Sequence, residues 1–81
     1  MNKENAYEVW AMAIDPNADD YFDSLIGTFD DENVALWFFN NYPFAEKVNN
    51  PSNTRITLEF VEYEHDGSGT CTNLIAEMEL N

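Results

Sequence analysis

The chain has 81 residues, with sixteen Asp and Glu against three Lys and Arg and a formal net charge of −13. Hydrophobic residues are 44% and aromatics 15%, which excludes a disordered acidic tail, because such tails lack the apolar content to offset chain entropy. The charge argues against direct contact with nucleic acid or anionic lipid, both of which would repel it, and the single cysteine, Cys71, excludes an intrachain disulfide.

Tyr7 to Ile14 (YEVWAMAI) is β-rich and apolar on both alternating faces, as in a well-covered strand. Asp15-Pro16-Asn17-Ala18-Asp19-Asp20 reads as a loop, since proline is excluded from the interior of a central strand. Tyr21 to Phe29 reads as a second strand and hairpin partner of the first, with Gly27 marking a bulge or a close approach. Asp30 to Asn33 then opens a helix. Asp30 is placed to cap the free N–H groups, and three acids occupy the first turn, where the helix dipole favours them. The helix runs to about Asn41 and stops before Tyr42-Pro43, because the residue preceding a proline avoids the α region. Phe44 to Thr54 reads as an irregular connection with one further helical turn around Ala45 to Val48.

Arg55 to Glu64 and Thr70 to Leu80 read as two strands joined by Asp66-Gly67-Ser68-Gly69. A three-residue loop flanked by Asp66 and Thr70, with Gly69 in the left-handed position, gives the usual bulged hairpin. That register sets Ile56 opposite Leu80, Leu58 opposite Met78 and Phe60 opposite Ala76 on one face. A slip of one residue would oppose Leu58 to Glu77 and spoil the apolar face. The order is ββαββ in a single domain, residues 1–81. The expected architecture is α+β in two layers: a four-stranded antiparallel sheet with one helix packed on one face.

The same register opposes Glu59 to Glu77 on the second face, with Glu79 beside Thr57. Like charges directly opposed across strands destabilise by a few tenths up to roughly 1 kcal/mol. Carboxylates two apart on one strand stand about 6.8 Å from each other, the scale of successive phosphates on a nucleic-acid strand. A second acidic group is Asp15, Asp19, Asp20 and Asp23. An ordinary soluble surface mixes both signs, whereas here the only Lys and Arg are Lys3, Lys47 and Arg55.

Other chemistry finds little support. Asp15-x-Asn17-x-Asp19 imitates the opening of a calcium loop, but Asp20 stands where the turn needs glycine and Ile26 where the bidentate glutamate belongs. His65 and Cys71 lie near one hairpin turn without an orienting group beyond Asp66, and one His with one Cys excludes a His/Cys zinc site within one chain. No metal, no cofactor and no catalysis are expected. Met1 to Asn5 lacks a signal-peptide pattern, and the longest apolar run, Val34 to Phe39, is too short to span a bilayer. With its lone thiol the chain reads as cytoplasmic.

In charge, size and β-rich design the chain resembles the small DNA mimics encoded by phages and mobile elements. That resemblance implies an inhibitor, for example of a restriction or CRISPR effector, acting as a monomer or homodimer without a cofactor. Its partner would be a basic nucleic-acid-binding protein or enzyme, contacted through Glu59, Glu77 and Glu79 on the sheet and Asp19, Asp20 and Asp23 on the first hairpin. The alternative is a protein–protein module that docks through Leu36, Trp37 and Phe39 of an aromatic-rich helix, its acidic surface serving solubility alone. Two explanations of that helix stay open: cover by the Tyr42 to Thr54 segment, and an exposed apolar patch.

Overall fold

The computed structural model describes residues 4–15, 23–48, 50–64 and 66–80. The strands are β1 (Glu4–Ala13), β2 (Asp23–Phe29), β3 (Thr54–Tyr63) and β4 (Gly69–Glu79). Between β2 and β3 lie helix α1 (Glu32–Asn41), the short helix α2 (Phe44–Lys47) and a single 3-10 turn, Pro51–Asn53. All pairings are antiparallel and the sheet order is β2-β1-β3-β4. The fold is therefore α+β with α1 against one face of a four-stranded sheet, as the element order led us to expect.

The two apolar strands take the centre. β1 and β3 pair without interruption from Glu4↔Tyr63 to Ala13↔Thr54. Alternate residues point to one side, so Val9 and Ala11 of β1 join Ile56 and Leu58 of β3 under the helical layer, all at most 1% exposed. Ala35, Phe39 and Phe44 close the core from above. Burying each large aliphatic side chain is worth about 1.5–3 kcal/mol.

Residues on the edge strands interrupt the ladders. β2 carries an extra residue opposite Val9 and Trp10, where the pairing steps from Gly27 to Leu25. A Cβ at Gly27 would lie 3.1 Å from the Phe29 ring and 3.8 Å from that of Phe38, so this glycine marks both a bulge and a close approach. β4 carries two more irregularities, facing Leu58/Glu59 and Phe60/Val61.

The second hairpin has the loop chemistry expected of it, two residues earlier than expected. The Glu64 N–H donates to Ser68 O and the Gly67 N–H to Glu64 O, and Gly67, not Gly69, takes the left-handed conformation at φ 93°. Asp66 favours this position, because its carboxylate accepts both the backbone N–H and the hydroxyl of Ser68. Those bonds hold the Asp66 carboxyl below the usual carboxylate range. The pairs consequently become Ile56↔Met78 and Leu58↔Ala76, and Glu77 opposes Thr57 instead of Glu59. The bulges absorb residues between the turn and the core, so Ala76 and Met78 still arrive on the helix-facing side.

Helix α1 is capped by Asp31, not by Asp30: its carboxylate accepts the N–H groups of Asn33 at 2.8 Å and Val34 at 3.2 Å. At the other end Tyr42 is extended (ψ 136°) ahead of Pro43. The Tyr42–Thr54 segment does cover the second side of the helix. Phe44 is 2% exposed, and the Phe38 ring packs on Tyr42, Phe29 and Phe44. The segment is tied down by Thr54, whose buried hydroxyl donates to Asn50 O, and by Asn53, which accepts the N–H groups of Ile14 and Asp15.

The cap assignment is testable by urea denaturation. Asp31→Ala should cost about 1 kcal/mol (range roughly 0.5–2), while Asp30→Ala should stay within about 0.5 kcal/mol.

Candidate partner-binding surfaces

With α1 on one side, no helix or strand among the described residues lies over the other face of the sheet. Register assigns its residues in rows across the strands. One row reads Asp23, Met12, Arg55, Glu79; the next reads Leu25, Trp10, Thr57, Glu77; the third reads Thr28, Glu8, Glu59, Leu74. All four strands thus contribute a carboxylate to this face. Asp23, Glu77 and Glu79 are exposed and Glu59 is half-buried. Of the residues expected to form the contact surface, Glu59, Glu77, Glu79 and Asp23 therefore share one face, while Asp19 and Asp20 lie outside the described residues, as does most of the calcium-loop-like segment.

The charge on this face is unevenly compensated. Glu79 pairs with Arg55 directly across the ladder at 3.0 Å. Both side chains are roughly half in water, so that pair is worth little net stability. Glu59 accepts a neutral donor, the Thr57 hydroxyl at 2.9 Å. The like-charge opposition expected between Glu59 and Glu77 is instead between Glu59 and Glu8 of β1.

Glu8 is the residue that sequence reasoning missed. It is 3% exposed, on the face opposite α1. Its carboxylate accepts the Trp10 indole N–H at 2.9 Å through Oε1 and the Tyr63 hydroxyl through Oε2. Hydrogen bonds to a charged group are worth about 1.5–3 kcal/mol each, which offsets the desolvation of the carboxylate. Gly69 makes this geometry possible. A Cβ there would stand 2.6 Å from Tyr63 Cε1, so only glycine lets the ring lie over β4. A signal for the site existed: Glu8 is the one charged residue in YEVWAMAI, a segment otherwise apolar on both faces.

Around these groups lies a shallow depression of about 390 Å³, lined by Asp23, Glu59, Trp10, Met12, Val61 and Tyr63, with Glu8 and Cys71. Partial burial of the Cys71 sulfur pushes its thiol pKa up, and the neighbouring Glu59 carboxylate adds to the shift. Among the described residues, no group of three or more His, Cys, Asp or Glu is arranged to hold a metal ion, and no helix is long and apolar enough to cross a membrane.

The aromatic helix divides. Phe39 is 6% exposed and belongs to the core, and Leu36 packs against that core. They are joined on the helix side by Phe38, which is also packed inward. Trp37 at 67% and Val34 at 52% are the exposed apolar residues of α1. Neither a protein-family model, nor a curated protein, nor a solved structure matches this chain.

Removing the Tyr63 hydroxyl leaves Glu8 Oε2 without its donor, so Tyr63→Phe should cost about 1–3 kcal/mol in urea denaturation. Gly69→Ala, which displaces the same ring, should be destabilising as well. Cys71 should react with iodoacetamide more slowly at neutral pH than a free thiol, because the thiolate is the nucleophile and the raised pKa depletes it. Glu59→Gln should speed that reaction; an unchanged rate would remove Glu59 as a cause of the shift.

Proposed function

We propose that this protein is an acidic inhibitor of the DNA-mimic type, which binds the basic nucleic-acid-binding site of a host protein. An anti-restriction or anti-CRISPR protein of a phage or mobile element is the kind of role meant. The observation that carries the reading is the sheet face opposite α1, to which every strand contributes a carboxylate: Asp23, Glu8, Glu59, Glu77 and Glu79. Glu77 and Glu79 lie two apart on one strand and so keep the phosphate-like spacing of about 6.8 Å. A rigid sheet also holds its charges in place before binding, which lowers the ordering cost of association. Electrostatic steering toward a basic groove follows from the net charge of −13. On this reading the protein acts by binding and has no reaction of its own.

A second reading rests on the exposed Trp37 and Val34 of α1, which offer a small apolar contact for a protein partner. Phe39 has no part in it, since it is core.

Affinity capture from host extract at about 50 and 300 mM salt separates the two, because these conditions straddle the range where screening becomes strong. A nucleic-acid enzyme that salt releases and duplex DNA competes away is the expected result. Salt-resistant capture that Trp37→Ala abolishes would favour the helix instead. The double variant Glu59→Gln, Glu77→Gln should weaken capture while keeping the fold. It should match or exceed the parent in stability by a few tenths of a kcal/mol, since Glu59 no longer opposes Glu8.

A further inference from the structure

We propose that the depression on the sheet face opposite α1 seats one arginine side chain of the partner protein, the anchor of the acidic contact surface. The proposal rests on the reading of that face as the partner-binding surface and adds the chemistry of what it grips.

Charge complementarity selects a cation. Glu59, Asp23 and Glu8 line the depression, and among the described residues no Lys or Arg lines it. The donors that reach Glu8 and Glu59 are neutral: an indole N–H, a phenol and an alcohol. Their bonds orient the carboxylates without cancelling the charge. The walls then select the type of cation. Trp10 and Tyr63 present rings, and Met12 and Val61 present apolar surface. A guanidinium is planar, weakly hydrated and stacks on aromatic faces while donating in its plane, whereas an ammonium is a compact, strongly hydrated point charge. A bare metal ion is disfavoured, because the acidic groups here are not arranged as a ligand set. The role of Glu8 is positional: its two oxygens are taken by Trp10 and Tyr63, so it fixes the rings that flank the seat.

The two tryptophans give a built-in control, because Trp10 lines the depression and Trp37 lies on the helix on the opposite side of the sheet. The isotope-labelled protein is titrated with the capped peptide Gly-Gly-Arg-Gly-Gly, and with its lysine and citrulline counterparts, while the indole N–H resonances are followed by NMR. The expected result is a saturable shift of the Trp10 indole with the arginine peptide, about three- to tenfold weaker binding of the lysine peptide, and none of the citrulline peptide. Glu59→Gln should weaken arginine binding by a similar factor, and Glu77→Gln, the same loss of charge outside the depression, should change it less than about twofold. Equal affinity for arginine and lysine would overturn the proposal. So would equal shifts of both indoles, equal effects of both variants, or no saturable shift with any peptide. The titration needs no host protein, so its failure leaves the salt-sensitive capture standing, and a failed capture leaves the titration standing.

Discussion

One helical layer can cover only one face of a sheet, and this architecture follows from that limit. The fully buried side chains Val9, Ile56 and Leu58 gather beneath Ala35, Phe39 and Phe44. Apolar burial there must outweigh both chain entropy and the self-repulsion of a net charge of −13. Concentrating the core on one side releases the other side from packing duty. That face is where Glu8, Glu59, Glu77 and Glu79 lie, at strand positions that alternate with those facing the helix.

The face opposite the helix is organised as well. Glu8 is nearly inaccessible there because Trp10, one turn of the pleat further along β1, folds its indole back onto it, and because Tyr63 reaches it from β3. The Tyr63 ring in turn lies over Gly69 of β4. A single chain of contacts therefore links β1, β3 and β4 on the side the helix never touches. Satisfied buried polar groups of this kind rigidify their surroundings, whereas half-satisfied ones weaken them. The depression between these rings keeps its shape for that reason.

Much of this was legible in the sequence, and the misses share a physical origin. Strand and helix positions follow from apolar periodicity and from the Tyr42-Pro43 stop, and they fall within a few residues of the observed elements. Gly27 was readable as a bulge because glycine inside a strand pattern has few other uses. The register of β3 with β4 was not readable, because it depends on which glycine takes the left-handed position and on bulges that no periodicity announces. That difference changed the cross-strand partners on β4, giving Glu59 to Leu74 and Glu77 to Thr57, while Glu8 opposes Glu59 from β1. The helix cap moved from Asp30 to Asp31, one residue, since either aspartate satisfies the same compositional rule. Phe39 and Trp37 could not be told apart by residue type, and only the position of the covering segment sends one inward and the other out.

The distribution of the bulges has a consequence for how copies of this chain meet. The central β1–β3 ladder is unbroken, and every irregularity among the described residues falls on β2 or β4, the two edge strands of the sheet. A long, regular rim such as β4 would template continuous pairing with another molecule, ending in fibres. Interrupting its hydrogen-bonding rhythm twice, and placing Glu77 and Glu79 along its straighter end, denies a second molecule any extended stretch to zip onto. The same residues that place negative charge on the face opposite the helix thus also oppose edge-to-edge pairing of one copy with another.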